Sequence, residues 1–237
     1  MNAPAPPAIA WFHSFSFPDG EAVRGLKEPE VLQAEADAIF ADGVAGKSVL
    51  DVGAWDGFFS FEAERRGAAR VLATDHFCWS GEGWGTKAGF DYAHRKLGSR
   101  VETLDIDVPD ISLETVGAFD VVLFLGVLYH VKDPLRCLER LAAVTRELLV
   151  IETETAFDIL PWPLMRFYED AALNDDPTNF WAPNRACLAA MLRQVGLGDS
   201  AIRTAPWLRK SWRTPDLYWK RDRVIAHARR DAARTAH

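Results

Sequence analysis

The chain has 237 residues, 49% of them hydrophobic, which is enough for one elaborated domain with a single core. Its 34 acidic residues outnumber the 27 basic ones and give a net charge of −7. Ten of the basic residues lie in 203–237, so the body of the chain is acidic and its end is basic. Because an acidic body repels phosphate backbones, this composition disfavours a nucleic-acid substrate without excluding one.

Other broad classes are disfavoured by local composition. The longest apolar stretch, 121–129, is far shorter than the roughly 20 residues that cross a bilayer, so we expect no membrane span. Residues 1–10 lack the basic start and apolar core of a secretory signal, which predicts a cytoplasmic protein. The cysteines Cys78, Cys137 and Cys187 lack metal-binding spacing, and we expect no metal.

The first 46 residues combine an aromatic arm with one helix. The arm holds Trp11, Phe12, His13, Phe15 and Phe17, and the turn-forming residues 18–20 follow it. Apolar residues at helical spacing then predict a helix over 28–41. We interpret the segment 1–46 as a candidate lid over a site.

From residue 47 onwards, short apolar runs alternate with helix-length segments, which is typical of βαβ units and a parallel sheet. The predicted fold class is therefore α/β, with a mostly parallel seven-stranded sheet and helices on both faces. Strands are predicted at 48–53, 71–75, 101–105, 119–125, 147–153, 200–205 and 223–229, and helices at 57–67, 86–97, 134–145 and 184–195, with a short one at 111–115. An insertion rich in proline and aromatic residues occupies 155–183, so the main domain spans 47–230 and a tail follows at 231–237.

The strongest local motif is an apolar strand that ends in Asp51 and enters a glycine turn before a helix. Glycine at such a turn lets a ligand approach the backbone, and the helix N-terminus offers free amides. The turn residues Gly53, Ala54, Trp55 and Gly57 depart from the dinucleotide pattern G-x-G-x-x-G. An acidic residue at Asp51 suits the ammonium group of S-adenosylmethionine better than a pyrophosphate, although an ordinary strand-to-helix turn would also use these glycines.

The next two strands also end in carboxylates. Asp75 follows about 20 residues after the glycine turn, where a ribose diol is held by bidentate hydrogen bonds. The third strand ends in Asp105, Ile106 and Asp107, where an apolar side chain can pack on adenine and a carboxylate can accept from its amino group. Aspartates at strand ends are also common turn formers, so Asp105 and Asp107 keep both interpretations.

These motifs, together with residues 119–130, resemble class I methyltransferases. The Gly-Val-Leu-Tyr-His block at 126–130, with 133–135 and 152–154, resembles the branch typified by the bacterial tRNA wobble-uridine carboxymethyltransferase. The resemblance covers about 47–230 and implies a Rossmann-like fold with S-adenosylmethionine as cofactor and S-adenosylhomocysteine as product. It also places cofactor contacts on the following residues: Gly53, Asp75, His76, Ile106, Asp107, Leu125 and Tyr129.

The chain departs from that branch before residue 47. The branch adds a lysine and a tryptophan that bind the extra carboxylate of carboxylated S-adenosylmethionine. Here no tryptophan lies between Trp11 and Trp55, and Lys27 is the only nearby lysine before Lys47. Ordinary S-adenosylmethionine is therefore the predicted cofactor, and a tRNA substrate does not follow from the resemblance.

Methyl transfer requires alignment of the acceptor and, for a hydroxyl or a protonated nitrogen, a group that takes up a proton. His130, at the end of the fourth main strand, is the leading candidate base, with Tyr129 beside it. The alternative is that His130 caps the following turn or orients Tyr129. His13 is a second candidate base if the arm folds over the site.

The acceptor-binding candidates are more scattered. Glu152 follows the fifth strand, and Asn184 could hydrogen-bond an acceptor. Trp11 and Trp181, with other aromatic residues of the arm and the insertion, could form the wall of a flat apolar pocket or fill the core. The basic residues near the end could face phosphate, or could lie on the solvated side of a terminal strand pair in which residues 223–228 form the buried last strand.

Three functions remain open. The first is methyl transfer from S-adenosylmethionine to an oxygen or nitrogen atom of a small, aromatic or heterocyclic metabolite, by a monomer or homodimer. The second is modification of the tRNA wobble uridine by methyl or carboxymethyl transfer. The third is a non-catalytic methyltransferase-like partner subunit.

Overall fold

A computed structural model describes residues 9–83, 86–206 and 222–230. Its centre is a seven-stranded sheet with the order β10-β11-β7-β6-β3-β4-β5. The strands of this sheet are β3 (Ser48–Val52), β4 (Arg70–Asp75), β5 (Glu102–Asp105), β6 (Phe119–Leu125), β7 (Thr145–Thr155), β10 (Asp199–Thr204) and β11 (Asp222–Arg229). The five neighbouring strands β7, β6, β3, β4 and β5 pair in parallel, whereas β11 is antiparallel to both of its neighbours, β7 and β10. The predicted α/β fold with a mostly parallel seven-stranded sheet is confirmed.

The order of the strands creates a crevice at one edge of the sheet. The parallel part of the sheet begins with β3 in its middle. The chain then forms β4 and β5 towards one side and returns to form β6 on the other side of β3. Loops after β3 and β6 therefore diverge to opposite sides, and ligands of such sheets bind in the crevice at the carboxyl ends of the strands.

Helices cover both faces of the sheet because residues along each strand alternate between the faces. Odd-numbered residues of β3, such as Val49, pack with α1, α2, α3 and the arm, whereas even-numbered residues such as Leu50 pack with α4 and α5. The helices are α1 (Pro29–Ile39), α2 (Phe58–Arg65), α3 (Ala88–Leu97), α4 (Pro134–Val144) and α5 (Arg185–Gln194). None of the helices among the described residues is long and apolar enough to cross a membrane.

Two small hairpins lie outside the main sheet. The arm forms β1 (Phe15–Ser16) and β2 (Ala22–Val23), and the insertion forms β8 (Met165–Phe167) and β9 (Trp181–Pro183). Neither was predicted, since strands of two or three residues leave no periodic pattern in a sequence.

One predicted element is wrong. The short helix expected at 111–115 is replaced by a 3-10 helix at Val108–Asp110 and a turn at 113–116. Pro109 lies in the first turn of the 3-10 helix, and the Asp107 side chain caps the helix by accepting from the Val108 N–H. The helical turn therefore forms earlier than periodicity suggested. The tail 231–237 and most of the basic segment lie outside the described residues.

Candidate cofactor and acceptor site

A cavity of about 1080 Å³ opens at the carboxyl edge of the sheet. Its walls come from the ends of β3, β4 and β6, the 3-10 helix, the arm and the insertion. Most of the residues predicted to bind the cofactor line it: Asp51, Gly53, Ala54, Trp55, Asp75, His76, Ile106, Asp107, Leu125 and Tyr129.

The glycine turn after β3 is tight because its first residue has no side chain. Gly53 has φ +79°, and a Cβ atom there would lie 2.4 Å from Cγ2 of Val127. The N–H groups of Gly53 and Ala54 both donate to the carbonyl oxygen of Thr74, at 2.8 and 3.0 Å. The turn is thus fixed against β4, and its backbone forms the floor of the cavity.

Gly57 serves a different purpose from the one predicted. It does not line the cavity, and a Cβ atom there would lie 2.6 to 2.7 Å from the rings of Phe90 and Phe61. Its φ of +87° begins α2 in a left-handed conformation that favours glycine. We therefore correct its assignment from ligand contact to packing behind the turn.

Asp51 lies at the end of β3 and is buried, with only 2% of its surface exposed. One carboxylate oxygen accepts from the Ser60 hydroxyl at 2.6 Å, which leaves acceptor capacity for a ligand in the cavity. Burial raises the pKa of Asp51 to about 6, although the Ser60 hydrogen bond and the nearby His13 oppose the shift. A buried carboxylate without a cationic partner of its own suits an ammonium group.

We expect the contribution of Asp51 to cofactor binding to depend on pH. Its pKa of about 6 is above the ordinary value, so the carboxylate that attracts a cation is lost as the pH falls through about 6. The affinity advantage of the unmodified protein over Asp51→Asn for S-adenosylhomocysteine should fall by up to about tenfold per pH unit below that point. Titration calorimetry of both proteins between about pH 5 and 8 tests this, and a constant ratio would contradict it.

Asp75 ends β4 with its carboxylate held by two backbone amides. Oδ1 accepts from the Cys78 N–H and Oδ2 accepts from the Trp55 N–H, both at 2.9 Å. Each oxygen keeps one further lone pair, so the group is oriented to accept from two adjacent hydroxyls. Burial raises its pKa, and the two amide bonds oppose the rise.

Trp55 connects the glycine turn to Asp75 through a strained backbone. Its φ is +51°, which is uncommon for a bulky residue. Its N–H donates to Asp75, and its carbonyl oxygen accepts from Nε1 of Trp79 at 2.6 Å. The ring of Phe12 from the arm stacks on the Trp55 ring at 4.2 Å, so the arm lies on the turn.

The residues after β5 divide between the cavity and the surface. Ile106 and Asp107 line the cavity beside Val108, which provides an apolar wall for a flat base. Asp105 does not line it and pairs with His76 at 2.8 Å on the exposed edge. This hydrogen bond raises the pKa of His76, and we assign Asp105 to holding His76 rather than to direct ligand contact.

A buried ion network closes the other end of the cavity. The Arg223 guanidinium on β11 donates to both oxygens of Glu152 at 2.5 and 2.7 Å, to Glu154 at 2.9 Å and to the Tyr129 hydroxyl at 3.0 Å. Burial by itself raises the pKa of Glu152, but the arginine outweighs it and holds the pKa below its usual value. Sequence patterns predicted the buried strand but not this network, because the antiparallel pairing of β11 with β7 brings the residues together.

His130 lies in the loop after β6 with its ring partly buried and facing the cavity. Its Nδ1 donates to the Thr178 backbone carbonyl, at 3.0 Å, and the Thr178 hydroxyl lies equally close. Burial lowers the pKa of His130, which favours the neutral ring. With the proton on Nδ1, the Nε2 lone pair is available to accept a proton.

Three residues predicted to contact the acceptor lie outside the cavity lining. Trp11 packs edge-on against Phe15 and Tyr92. The Trp181 ring packs against Phe167 on the hairpin of the insertion. The side chain of the third residue, Asn184, forms hydrogen bonds to the backbone with both of its polar atoms.

Asn184 caps α5 from a position with no exposed surface. Its Oδ1 accepts from the N–H groups of Cys187 and Leu164, and its Nδ2 donates to the carbonyl oxygens of Leu160 and Trp162. All of these bonds are to backbone, so the residue organises the insertion and has no group left for an acceptor.

The insertion contributes polar rather than aromatic groups to the cavity. Trp162 and Phe167 are 65% and 57% exposed on the outside, and Tyr168 is buried in a local cluster. Phe180 is the aromatic residue of the insertion that reaches the lining, and the polar residues there are Asn174, Asp176, Thr178 and Asn179. From the other side, Lys27 and Glu35 also line the cavity as an ion pair at 2.9 Å. No periodicity marked these residues, since only the folded arm and insertion bring them to the sheet edge.

Comparisons with known proteins agree with this geometry. A family model described as a methyltransferase domain matches residues 26–199. The chain is 40% identical over 114 residues to a tRNA U34 carboxymethyltransferase of Dichelobacter nodosus, over 46% of this chain and 33% of that one. It is 36% identical over 94 residues to a ubiquinone biosynthesis O-methyltransferase of Acinetobacter baumannii, over 40% of this chain and 37% of the other. These matches span about a third of the curated relatives' lengths.

A solved structure shares the fold over most of both chains. The N-terminal domain of EvdMO1, crystallised in the presence of S-adenosylhomocysteine and D-fucose, superposes with a TM-score of 0.67 at 20% identity and covers 93% of this chain and 91% of that one. The architecture is therefore the class I fold of S-adenosylmethionine-dependent methyltransferases. The chain belongs to the methyltransferase-domain family.

Proposed function

We propose that the protein transfers the methyl group of S-adenosylmethionine to an oxygen or nitrogen atom of a small molecule. The observation that carries this proposal is the pair of buried carboxylates, Asp51 and Asp75, at the ends of adjacent strands in one cavity. The bound cofactor supplies an electrophilic methyl group on a sulfonium centre. Asp51 suits its ammonium group, Asp75 suits its ribose hydroxyls, and Ile106 with Val108 suits its adenine.

The size of the cavity supports two ligands rather than one. Pockets for single drug-sized ligands are commonly about 300 to 1,000 Å³, and this one is about 1080 Å³. The end nearest Glu152, His130 and Phe180 is left for the methyl acceptor. Because most aromatic residues of the insertion face elsewhere, the lining favours an acceptor with hydrogen-bonding groups over a purely apolar aromatic one.

The neighbours Tyr129 and His130 provide the proton chemistry in this proposal. Nε2 of His130 takes the proton of a hydroxyl as its oxygen attacks the methyl group, or the proton of an ammonium before its nitrogen attacks, and S-adenosylhomocysteine leaves. The Tyr129 hydroxyl accepts from Arg223, and burial raises its pKa, so it remains a hydrogen-bond donor toward the cavity.

We expect His130→Ala to lower kcat by about 100-fold or more, because a positioned base contributes roughly that amount to proton transfer. The Kd for S-adenosylhomocysteine should change little, since the cofactor contacts proposed above lie on other residues. Steady-state kinetics and calorimetry measure the two effects. His94→Ala on α3 is the matched control, because His94 does not line the cavity. An unchanged kcat would assign His130 to structure.

Binding of S-adenosylhomocysteine by calorimetry, followed by a screen of acceptors with labelled S-adenosylmethionine, tests the whole proposal. Absence of binding would refute it. Turnover only in complex with another protein would favour the third hypothesis, a partner subunit. We further propose that the arm within residues 1–46 forms a cover on the site, because Phe12 and His13 line the cavity.

A tRNA-modifying carboxymethyl transferase is a second candidate, favoured by the names of relatives such as that from Dichelobacter nodosus. An added carboxylate on the cofactor would need a cation that lacks a competing anion. Two cations of the lining already have anions: Lys27 donates to both oxygens of Glu35, and Arg223 bonds Glu152 and Glu154. The other two, Lys132 and Arg136, are exposed to solvent at the rim. This charge balance favours ordinary S-adenosylmethionine. Salt-sensitive tRNA binding, with tighter binding of the carboxylated cofactor, would reverse the preference.

A further inference from the structure

The arm places a buried histidine beside the glycine turn. His13 is 5% exposed, and its Nδ1 forms a hydrogen bond with the carboxylate of Asp56, which is also buried. The backbone N–H groups of Phe12 and His13 both donate to the other Asp56 oxygen, at 2.9 and 3.0 Å. A single carboxylate thus fixes both the path of the arm and the orientation of the imidazole.

The second ring nitrogen of His13, Nε2, has no hydrogen-bond partner among the described residues. His13 lines the cavity. Phe58 stacks on the ring at 5.7 Å, and Phe59 contacts it edge-on at 5.6 Å. These contacts, with the Asp56 hydrogen bond, hold the orientation of the imidazole.

The position of His13 relative to Asp51 indicates which part of a ligand it meets. Asp51 lies on the face of the sheet that α2 and the arm cover, and it is close enough to His13 for their charges to interact. In an α-amino acid the ammonium and carboxylate are on the same carbon atom. An ammonium held by Asp51 therefore brings its carboxylate to the immediate neighbourhood.

Several groups near the turn that could receive that carboxylate already have protein partners. The N–H groups of Gly53 and Ala54 donate to Thr74, and that of Trp55 donates to Asp75. The nearby cations Lys27 and Arg223 are bound to Glu35 and to Glu152 with Glu154, respectively.

We propose that the Nε2–H of His13 binds the α-carboxylate of S-adenosylmethionine and that Asp56 is the positioning residue for this contact. The inference rests on the proposed function, since it assumes the cofactor. Both ring nitrogens then donate to carboxylates, so the ring is an imidazolium between Asp56 and the ligand. The surrounding charged groups are Asp51 on β3, Asp56 before α2, and the Lys27–Glu35 pair on the segment leading into α1 and on α1 itself.

Calorimetry with S-adenosylhomocysteine and with its decarboxylated analogue tests this contact. The unmodified protein should bind S-adenosylhomocysteine about tenfold or more tightly than the analogue, as a charge-assisted hydrogen bond provides. His13→Asn keeps a donor near the position of Nδ1 for Asp56 and removes the Nε2 donor. The His13→Asn variant should bind S-adenosylhomocysteine and the analogue equally. Its affinity for the analogue should equal that of the unmodified protein. Asp56→Asn should reduce the preference between the ligands.

The outcomes separate this proposal from its alternatives. If His13→Asn weakens both ligands by the same factor, His13 only packs the arm and the proposal is overturned. If the preference survives while kcat falls, His13 acts on the acceptor and the proposal is likewise overturned. If the unmodified protein binds neither ligand, the proposed function fails as well, whereas binding without a preference removes this contact alone.

Discussion

Replacement of Asp75 by alanine should weaken S-adenosylhomocysteine binding by roughly 100-fold or more. Two charge-assisted hydrogen bonds to ribose hydroxyls are lost, each contributing about 1.5 to 3 kcal/mol. The N–H groups of Trp55 and Cys78 also lose their acceptor, which loosens the turn that forms the floor of the cavity. Calorimetry at neutral pH measures the loss.

Two variants make this result interpretable. Asp75→Asn retains the shape and one acceptor oxygen, so we expect an affinity between those of the other two proteins. Asp199→Asn changes an exposed carboxylate at the start of β10, outside the cavity lining, and should leave binding nearly unchanged. Equal affinities of Asp75→Ala and the unmodified protein would show that no ribose is bound at this position.

The second large effect concerns stability. Arg223→Met should reduce the free energy of unfolding by about 3 to 5 kcal/mol, because it leaves Glu152 as a buried carboxylate without its main partner. Glu152 is 3% exposed and accepts two hydrogen bonds from this arginine. Urea denaturation at neutral pH measures the change, and a loss below about 1 kcal/mol would contradict the interpretation.

The pH dependence of that loss has a defined sign. In the unmodified protein the pKa of Glu152 is lowered, so its contribution to stability is present above the ordinary pKa and is lost as the pH falls through the folded-state value. In Arg223→Met the main influence that lowers the pKa of Glu152 is removed, so burial dominates and the pKa rises; stability is then lost as the pH rises through it. The difference in stability between the two proteins should therefore narrow in acid.

Matched variants test at neutral pH whether an unpaired buried carboxylate causes the loss of stability. Arg223→Met combined with Glu152→Gln removes one of the two buried carboxylates that lose their arginine, since Glu154 remains, and should recover part of the loss. Arg229→Met on the same strand breaks a partly exposed pair with Asp42 and should cost less than about 1 kcal/mol. Similar losses in the free energy of unfolding for Arg223→Met and Arg229→Met would show that burial of the Arg223 network does not cause the destabilisation.

The sequence determined the sheet and the carboxylates that we propose bind the cofactor. Apolar runs of strand length separated by helix-length segments specify βαβ units, and Asp51, Gly53 and Asp75 follow directly from the ends of those runs. Local order is sufficient here, because the carboxyl ends of neighbouring parallel strands meet at one edge whatever else the chain does.

Only the tertiary structure decided the rest of the site. His13 meets Asp56 across 43 positions, and Arg223 meets Glu152 across 71, and neither separation has a periodic signature. Trp11, Trp181 and Asn184 have the residue types of a binding site, yet packing and capping place them outside the cavity. Contacts of this kind depend on the path of the arm, the fold of the insertion and the register of β11, which long-range packing sets rather than local pattern.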